Sequence, residues 1–488
     1  MSANPALMTP VPASPKPVMS TRELDRKASS SLLWQSGKIS IHLLQYIVLA
    51  LLVLPAEFGK FALTLPLFLI LQAINDGGLS TATVTGKEYD ARLASNLWWT
   101  QVALGVAVAV VMLLGSPLLA AMFGVPDLVA IGSGLALSLV IESWGLQSRA
   151  NLRREMMVGR LAMVEIGGLA LGVAAAWIGS YWTRSVELLV LAQLVGAAGR
   201  TLMAFAFAPL RPRKFSATPE YRSALRTGWH VVGSDLLSIT RAQCPTIVIG
   251  FFMVLTEVGL FNRANQLLSV PLTLLAPAMA NFLLPLLSRT RETPAEFQQH
   301  VVRTQRLFLA VAIPVSVWIA VGPTQLIALV LGPEWTPVVP ILQALSPLFM
   351  SQVLATVTRM TLLASEQSHV DRLFSFLNLI LTAAAVLAAV PFGILGVALA
   401  LSLSGILLRA PLLAWFAIRK GSQTLASVMD GLRVIALLAA ISAVGLLLCR
   451  LLPVPGIVKD ILGLFAVAGV SAVALIVIVR RRSREPAA

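Results

Sequence analysis

The chain has 488 residues, of which 57% are apolar and only 12% charged, with a formal net charge of +15. This balance excludes an ordinary soluble domain, in which about a quarter of residues are charged. The excess positive charge is dispersed over short connecting segments, the pattern of a topology signal rather than of a nucleic-acid-binding patch.

Residues 1–31 are rich in Pro, Ser and Ala, with Lys16, Arg22, Arg26 and Lys27 ahead of the first apolar run. No cleavage site follows a short apolar core, so this stretch reads as a disordered cytoplasmic tail rather than a signal peptide. Apolar runs of about 20 residues then recur to residue 479, each long enough to cross a bilayer as a helix. Span 1 covers about residues 32–54, and Trp34, Lys38, His42 and Gln45 fall close to one face. Span 2, about 57–79, ends in N-D-G-G, a helix-stop signal. Span 3 covers about 97–122. Span 4, about 128–147, places Ser138, Glu142, Gly145 and Arg149 on one face and runs into a loop with Arg153 and Arg154. Span 5, about 158–178, carries Glu165 and a close-packing pair, Gly168 and Gly172. Span 6, about 185–208, includes Gln193 and Arg200. The longest internal hydrophilic segment, residues 211–222, divides the chain into halves.

Spans 7 and 8 are the most polar. Span 7 starts at Trp229, and on a 3.6-residue helix Ser234, Ser238, Arg241 and Pro245 share a face, with Asp235 beside it. Span 8 starts at Glu257 and carries Asn262, Gln266, Ser269 and Thr273 on one face, with Arg263 adjacent. Lipid does not solvate such faces, so they are expected to point into a protein-lined, watery cavity. Span 9, about 307–331, is broken at its far end by G-P-E-W-T-P. Span 10, about 338–363, puts Gln352, Thr356 and Arg359 on one face. Spans 11 to 14 cover about 373–390, 394–418, 428–452 and 458–479. Cys244 and Cys449 lie inside apolar runs and form no metal or disulfide framework.

With the N-terminal tail inside, every inner connection is basic and the outer turns hold few cations, Arg184, Arg450 and Lys459 among them. Fourteen spans with both ends cytoplasmic satisfy the positive-inside rule; twelve spans with a C-terminal re-entrant pair is the alternative. The expected fold is an all-α polytopic membrane protein of 14 transmembrane helices. Two six-helix lobes, 32–208 and 228–420, flank a basic cytoplasmic linker, 209–227. Helices 13 and 14 occupy 428–479, and a basic tail follows at 480–488. An internal echo supports the two halves: E-F-G-K-F (57–61) and E-V-G-L-F (257–261) each open the second helix of a half. Repeated halves with a site at their interface are the usual architecture of secondary transporters.

Four stretches carry a resemblance to a known family. They are L-P-A-E-F-G-K-F (54–61), A-N-L-R-R-E-M-M-V-G-R (150–160), E-V-G-L-F-N-R-A-N-Q-L-L-S-V-P (257–271) and L-G-P-E-W-T-P-V-V-P-I-L-Q-A-L (331–345). In this order they resemble landmarks of the oligosaccharide (polysaccharide repeat-unit) flippases, within the multidrug/oligosaccharidyl-lipid/polysaccharide exporter superfamily. The resemblance covers about residues 32–420, and the last two spans more loosely. None of the stretches is a catalytic signature. One departure stands out: the turn after span 1 lacks the family's usual basic residue, reading L-A-L-L-V-L-P (49–55). The resemblance implies two lobes facing each other in a V and open alternately to each side. The substrate it implies is an undecaprenyl-diphosphate-linked oligosaccharide, moved across the bacterial inner membrane for O-antigen, capsule or exopolysaccharide synthesis.

A lipid diphosphate calls for buried cations, and arginine's fork donates two hydrogen bonds at once. The candidate substrate-binding cations are Lys38, Arg241 and Arg263, followed by Arg149 and Arg359, with Arg200 and Arg409 also within spans. Glu142, Glu165, Asp235 and His42 are the candidates for coupling or charge balance. The expected partners are the lipid-linked oligosaccharide, membrane lipids and the polysaccharide polymerase or export machinery. The chain is expected to be a monomer that needs no cofactor, metal or nucleic acid and is not an enzyme. The rival reading within the superfamily is a cation-coupled multidrug exporter, which calls for a net acidic cavity. A sugar-chain ligase or polymerase calls for a large outer loop, and a non-transporting scaffold leaves the buried charges without a use.

Overall fold

A computed structural model describes residues 37, 40–86, 90–210, 212–216, 218–278, 286–287, 290, 293–365 and 367–481. The described residues are helical and connecting segments, with no strand among them. In chain order the helices are α1 (Ser40–Leu52), α2 (Pro55–Asp76), α3 (Leu79–Thr85), α4 (Ala91–Phe123), α5 (Leu128–Arg154), α6 (Val158–Gly179) and α7 (Glu187–Phe207). The second half contains α8 (Pro219–Phe252), α9 (Leu255–Ala278), α10 (Pro294–Val321), α11 (Thr324–Leu331) and α12 (Val338–Ala364). It continues with α13 (Ser368–Ala389), α14 (Gly393–Ser404), α15 (Ala410–Arg419), α16 (Leu425–Leu451) and α17 (Gly456–Arg481). Ten helical segments among these are long and apolar enough to cross a membrane, so the protein is a multi-pass membrane protein.

Local chemistry sets the ends. The Asp90 side chain accepts a hydrogen bond from the Leu93 amide and starts α4. Pro55 occupies the first turn of α2, where its missing N–H costs nothing, and Gly77 ends that helix in the left-handed region at φ 59°. Thr424 and Ser427 form a capping box at the start of α16. The expected start of span 7 at Trp229 is corrected: α8 begins at Pro219, inside the expected linker, with the Thr218 side chain accepting from the Tyr221 amide. The rest of the linker is also held. Ser95 exchanges hydrogen bonds with the backbone of Arg213, Asn96 does so with Ser216, and the Trp99 indole donates to the Arg213 carbonyl.

The first-half bundle packs α4 on α5, α5 on α7 and α6 on α7. The second packs α10 on α12, α12 on α14, and α16 and α17 against α10. Helices α8 and α9 meet α2 where the halves join. There, a Cβ added at Gly59 would fall 1.9 Å from the Leu255 carbonyl oxygen, and one at Gly259 would fall 2.0 Å from that of Pro55. These are the same contact with partners exchanged, and the two glycines are those of the 57–61 and 257–261 echo. At the other end of α2, Gly78 and Gly228 meet equally closely, a Cβ on Gly78 falling 2.3 Å from the Gly228 oxygen. The largest core cluster runs across the first junction, from Phe58, Leu63 and Leu135 to Val258, Phe261, Leu345 and Phe349. The halves are closed on one another there.

Candidate functional site

The Gly59–Gly259 crossing buries a cation. Arg263, one turn past Gly259 on α9, is 0% exposed. Its guanidinium lies over the Phe58 ring, 4.2 Å from the centroid, and 4.9 Å from that of Trp335. Phe58 belongs to the first half; Trp335 sits in the 3-10 turn Pro333–Trp335 and donates from Nε1 to the Ala50 carbonyl of α1, 2.8 Å away. Nη1 of Arg263 donates to Gln266 Oε1 at 3.2 Å, and Gln266 in turn donates to Asn262. Nε and Nη2 have no hydrogen-bond partner among the described residues. These two atoms form one edge of the guanidinium. The same edge grips Asp430 from Arg306, at 2.7 and 2.5 Å, and Asp371 from Arg359, at 2.6 and 2.9 Å. On Arg263 it is buried and has no partner among the described residues. A buried cation without a counter-charge is costly, by several kcal/mol, and two aromatic faces at about 0.5–2 kcal/mol each offset part of that.

The first half treats its buried charges differently. Arg149 Nη2 lies 2.9 Å from Glu142 Oε1, its Nη1 lies 3.6 Å from Glu165, and Arg200 Nε lies 3.7 Å from the same Glu142 oxygen. Gln72 on α2 donates to the other Glu142 oxygen at 3.0 Å. Arg149, Arg200, Glu142 and Glu165 thus form a neutralised network that ties α5 to α2, α6 and α7.

A second cationic group lies in the other half. Arg241 on α8 is half-buried and makes no hydrogen bond or ion pair among the described residues. Arg409 and the Arg359–Asp371 pair are its electrostatic neighbours. Arg409 ends a π-helical turn, Gly405–Arg409, and donates to Thr382, Asn378 and the Leu401 carbonyl.

Residues 48–340, well over half of the chain, match the model of a family described as polysaccharide biosynthesis protein. The chain belongs to this family. Among curated members it is similar to the lipopolysaccharide biosynthesis protein WzxC of Escherichia coli (strain K12), 23% identical over 63% of each chain. It is also similar to the succinoglycan biosynthesis transport protein ExoT of Rhizobium meliloti (strain 1021), 22% identical over 68% of this chain and 67% of that one. The matched region thus spans about two thirds of these relatives' length. Among solved structures the fold matches the lipid II flippase MurJ in an inward closed conformation, with a TM-score of 0.73 at 14% identity, covering 94% of this chain and 99% of that one. It also matches an inward-facing multidrug resistance MATE family transporter of the MOP superfamily, TM-score 0.66 at 16% identity, over 79% and 95%.

Within this family fold the expected site residues separate. Arg263 lies at the junction of the halves, Arg241 with Arg359 lies in the second half, and Arg149 with Glu142 and Glu165 lies inside the first. Arg359 and Arg149 already hold carboxylates. Asp235 is exposed and makes no ion pair among the described residues; its electrostatic neighbour is Asp76, a second carboxylate rather than a cation to balance. His42 is half-buried, its ring 6.4 Å from that of Tyr46. Lys38 lies outside the described residues. Residue-by-residue reading of single helices missed Phe58, Trp335 and Asp371. Trp335 stood in the G-P-E-W-T-P break, and an aromatic flanked by helix breakers was its signal. Asp371 follows Arg359 across a short turn, a spacing that lets two antiparallel helices pair their charges.

Proposed function

We propose that the protein flips undecaprenyl-diphosphate-linked oligosaccharide repeat units from the inner to the outer leaflet of a bacterial inner membrane, for synthesis of an O-antigen, capsule or exopolysaccharide. The observation that carries this reading is the Nε/Nη2 edge of Arg263, buried where the two halves meet and without a partner among the described residues. A diphosphate oxygen pair fits that edge as the carboxylates of Asp430 and Asp371 fit theirs. In the closed arrangement the edge is sealed beneath Phe58 and Trp335, so the halves separate to load it. The names of WzxC and ExoT, and the MurJ-like fold, support the same class of cargo. A drug or cation antiporter calls for a net acidic cleft, whereas Arg241 and Arg263 make no ion pair among the described residues.

The reading includes fourteen crossings. To the ten apolar segments it adds α1, whose described part is short, and the polar α8 and α9. It also divides residues 370–419 into two crossings at Gly393. Helices α8 and α9 are polar because they carry the face that lines the passage. Residues 32–208 and 228–420 act as the moving lobes, with both termini cytoplasmic and the protein working as a monomer beside the polymerase. Outward movement of a dianion is favoured by roughly 4–5 kcal/mol at about 100 mV, inside negative. No bond is made or broken in this cycle, so the protein is not an enzyme.

The test is genetic and chemical together. Deletion should accumulate lipid-linked repeat units in the inner leaflet, and plasmid-borne wild type should clear them whereas Arg263→Gln should not. Normal outer-leaflet delivery in the deletion strain would contradict the reading.

A further inference from the structure

The turn between the last two helices gathers charge where the sequence otherwise spares it. Arg450 lies in the last turn of α16 and Lys459 in the first of α17. They are two of the few cations on the connections that the positive-inside rule leaves uncharged. Lys459 Nζ donates to the Arg450 carbonyl at 3.0 Å, which draws the two charges together. Arg450 is aimed by its own anchor: Nη2 donates to the carbonyls of Val321 and Gly322 at the end of α10, at 2.6 and 3.2 Å. Its Nε and Nη1 have no partner among the described residues. Asp460 follows Lys459. Its Oδ2 accepts from the Gln325 and Leu326 amides at 2.9 and 3.0 Å, and Oδ1 has no partner among the described residues. Asp460 makes no ion pair with either cation.

These three side chains line one cleft of about 230 Å³, together with Trp318, Val321 and Leu446. The cleft lies at the end of the spans α10, α16 and α17, the level of a membrane–water interface, where tryptophan and snorkelling cations belong. On the membrane side of the charges, Leu447 and Leu448 of α16 and Ile461, Leu464 and Phe465 of α17 are exposed. A small anion would use the cations and leave that apolar surface bare, whereas a phospholipid covers both. Two cations and one carboxylate also match a headgroup of both signs. Its phosphodiester oxygens suit the free guanidinium edge and the Lys459 ammonium, and a primary ammonium suits Asp460 Oδ1. A trimethylammonium has no N–H for that oxygen, and a glycerol headgroup has no charge for it.

We propose that this cleft is a phospholipid site, selective for phosphatidylethanolamine, which fastens α16 and α17 to α10. It requires only that these helices span a membrane and is independent of the cargo and of Arg263.

The test uses full-length protein in detergent, stripped of lipid and then given phosphatidylethanolamine, phosphatidylglycerol or phosphatidylcholine with identical acyl chains, or inorganic phosphate. Lipid retained is read by native mass spectrometry and the unfolding midpoint by a thermal scan. Wild type should retain phosphatidylethanolamine roughly fivefold or more over each of the other lipids, the scale of exchanging a charged donor for a neutral one at one carboxylate. Its midpoint should rise with that lipid, because a ligand of the folded state stabilises it by mass action, and should not rise with inorganic phosphate. Lys459→Gln should lower retention of all three lipids. Asp460→Asn, which keeps an acceptor for the Gln325 and Leu326 amides, should erase the preference for ethanolamine. Equal retention of the three lipids by wild type overturns the proposal even where a variant fails to fold. So does a preference that Asp460→Asn leaves unchanged, or a midpoint that inorganic phosphate raises as much as the lipid does.

Discussion

Arg263 and Arg149 are both buried arginines, yet their surroundings assign them opposite energetics. Arg149 is held by Glu142 and Glu165, so removing Glu142 leaves Arg149 and Arg200 short of a counter-charge. Glu142→Ala should therefore destabilise the fold by about 3–5 kcal/mol, the usual cost of breaking a buried pair from one side. Thermal unfolding in detergent checks this, and an unchanged midpoint would show that the network is not structural. Arg263 makes no ion pair among the described residues, so Arg263→Met removes an uncompensated charge and fills the same slot between Phe58 and Trp335. That variant should unfold at or above the wild-type temperature while flipping is lost. Only part of this contrast was readable in the sequence. The helical spacing of Glu142 and Arg149 put them on one face, but the link to Glu165 and Arg200 depends on how three helices pack. The aromatic faces around Arg263 come from Phe58 in the first half and from Trp335 in a turn between helices of the second, and no local pattern joins them.

At the scale of helices, the crossing of α2 over α9 depends on two absent side chains. A methyl group at Gly59 would meet backbone carbonyl atoms, which do not rotate away as a side-chain tip does. Gly59→Ala should therefore hold this junction apart. In a background lacking Cys244 and Cys449, a cysteine at position 263 should react with a maleimide several-fold faster when Gly59→Ala is present. Equal reactivity would mean that the junction does not close as described. The last two helices are tied to α10 at both ends, by Arg306 with Asp430 and by Trp318 with the Asp460 carbonyl. They therefore pack as part of the second half. The echo of the two E-x-G-x-F stretches was visible in the sequence, and the reciprocal glycine contact supplies its reason. The start of α8 was misread because T-P-E in residues 218–220 was counted as linker, although a threonine cap before proline is a helix-start signal. The π turn at Gly405–Arg409 left no sequence signal, because it differs from an α-helix only by one inserted residue.

For the whole molecule, the surplus of positive charge and the polarity of α8 and α9 belong to one design. In the proposed reading, basic inner loops set the orientation, and these two polar helices line the place where lipid is excluded. If fourteen crossings are right, a cysteine at Arg184 should label from outside intact cells and one at Arg213 only after permeabilisation. Labelling of both from the same side would force a different count. The strongest single test of the account is scrambling of an undecaprenyl-diphosphate oligosaccharide across vesicles that contain purified protein. Wild type should move it and Arg263→Gln, folded and inserted to the same level, should not. Equal movement by the two would contradict the claim that a buried arginine between two lobes carries the diphosphate.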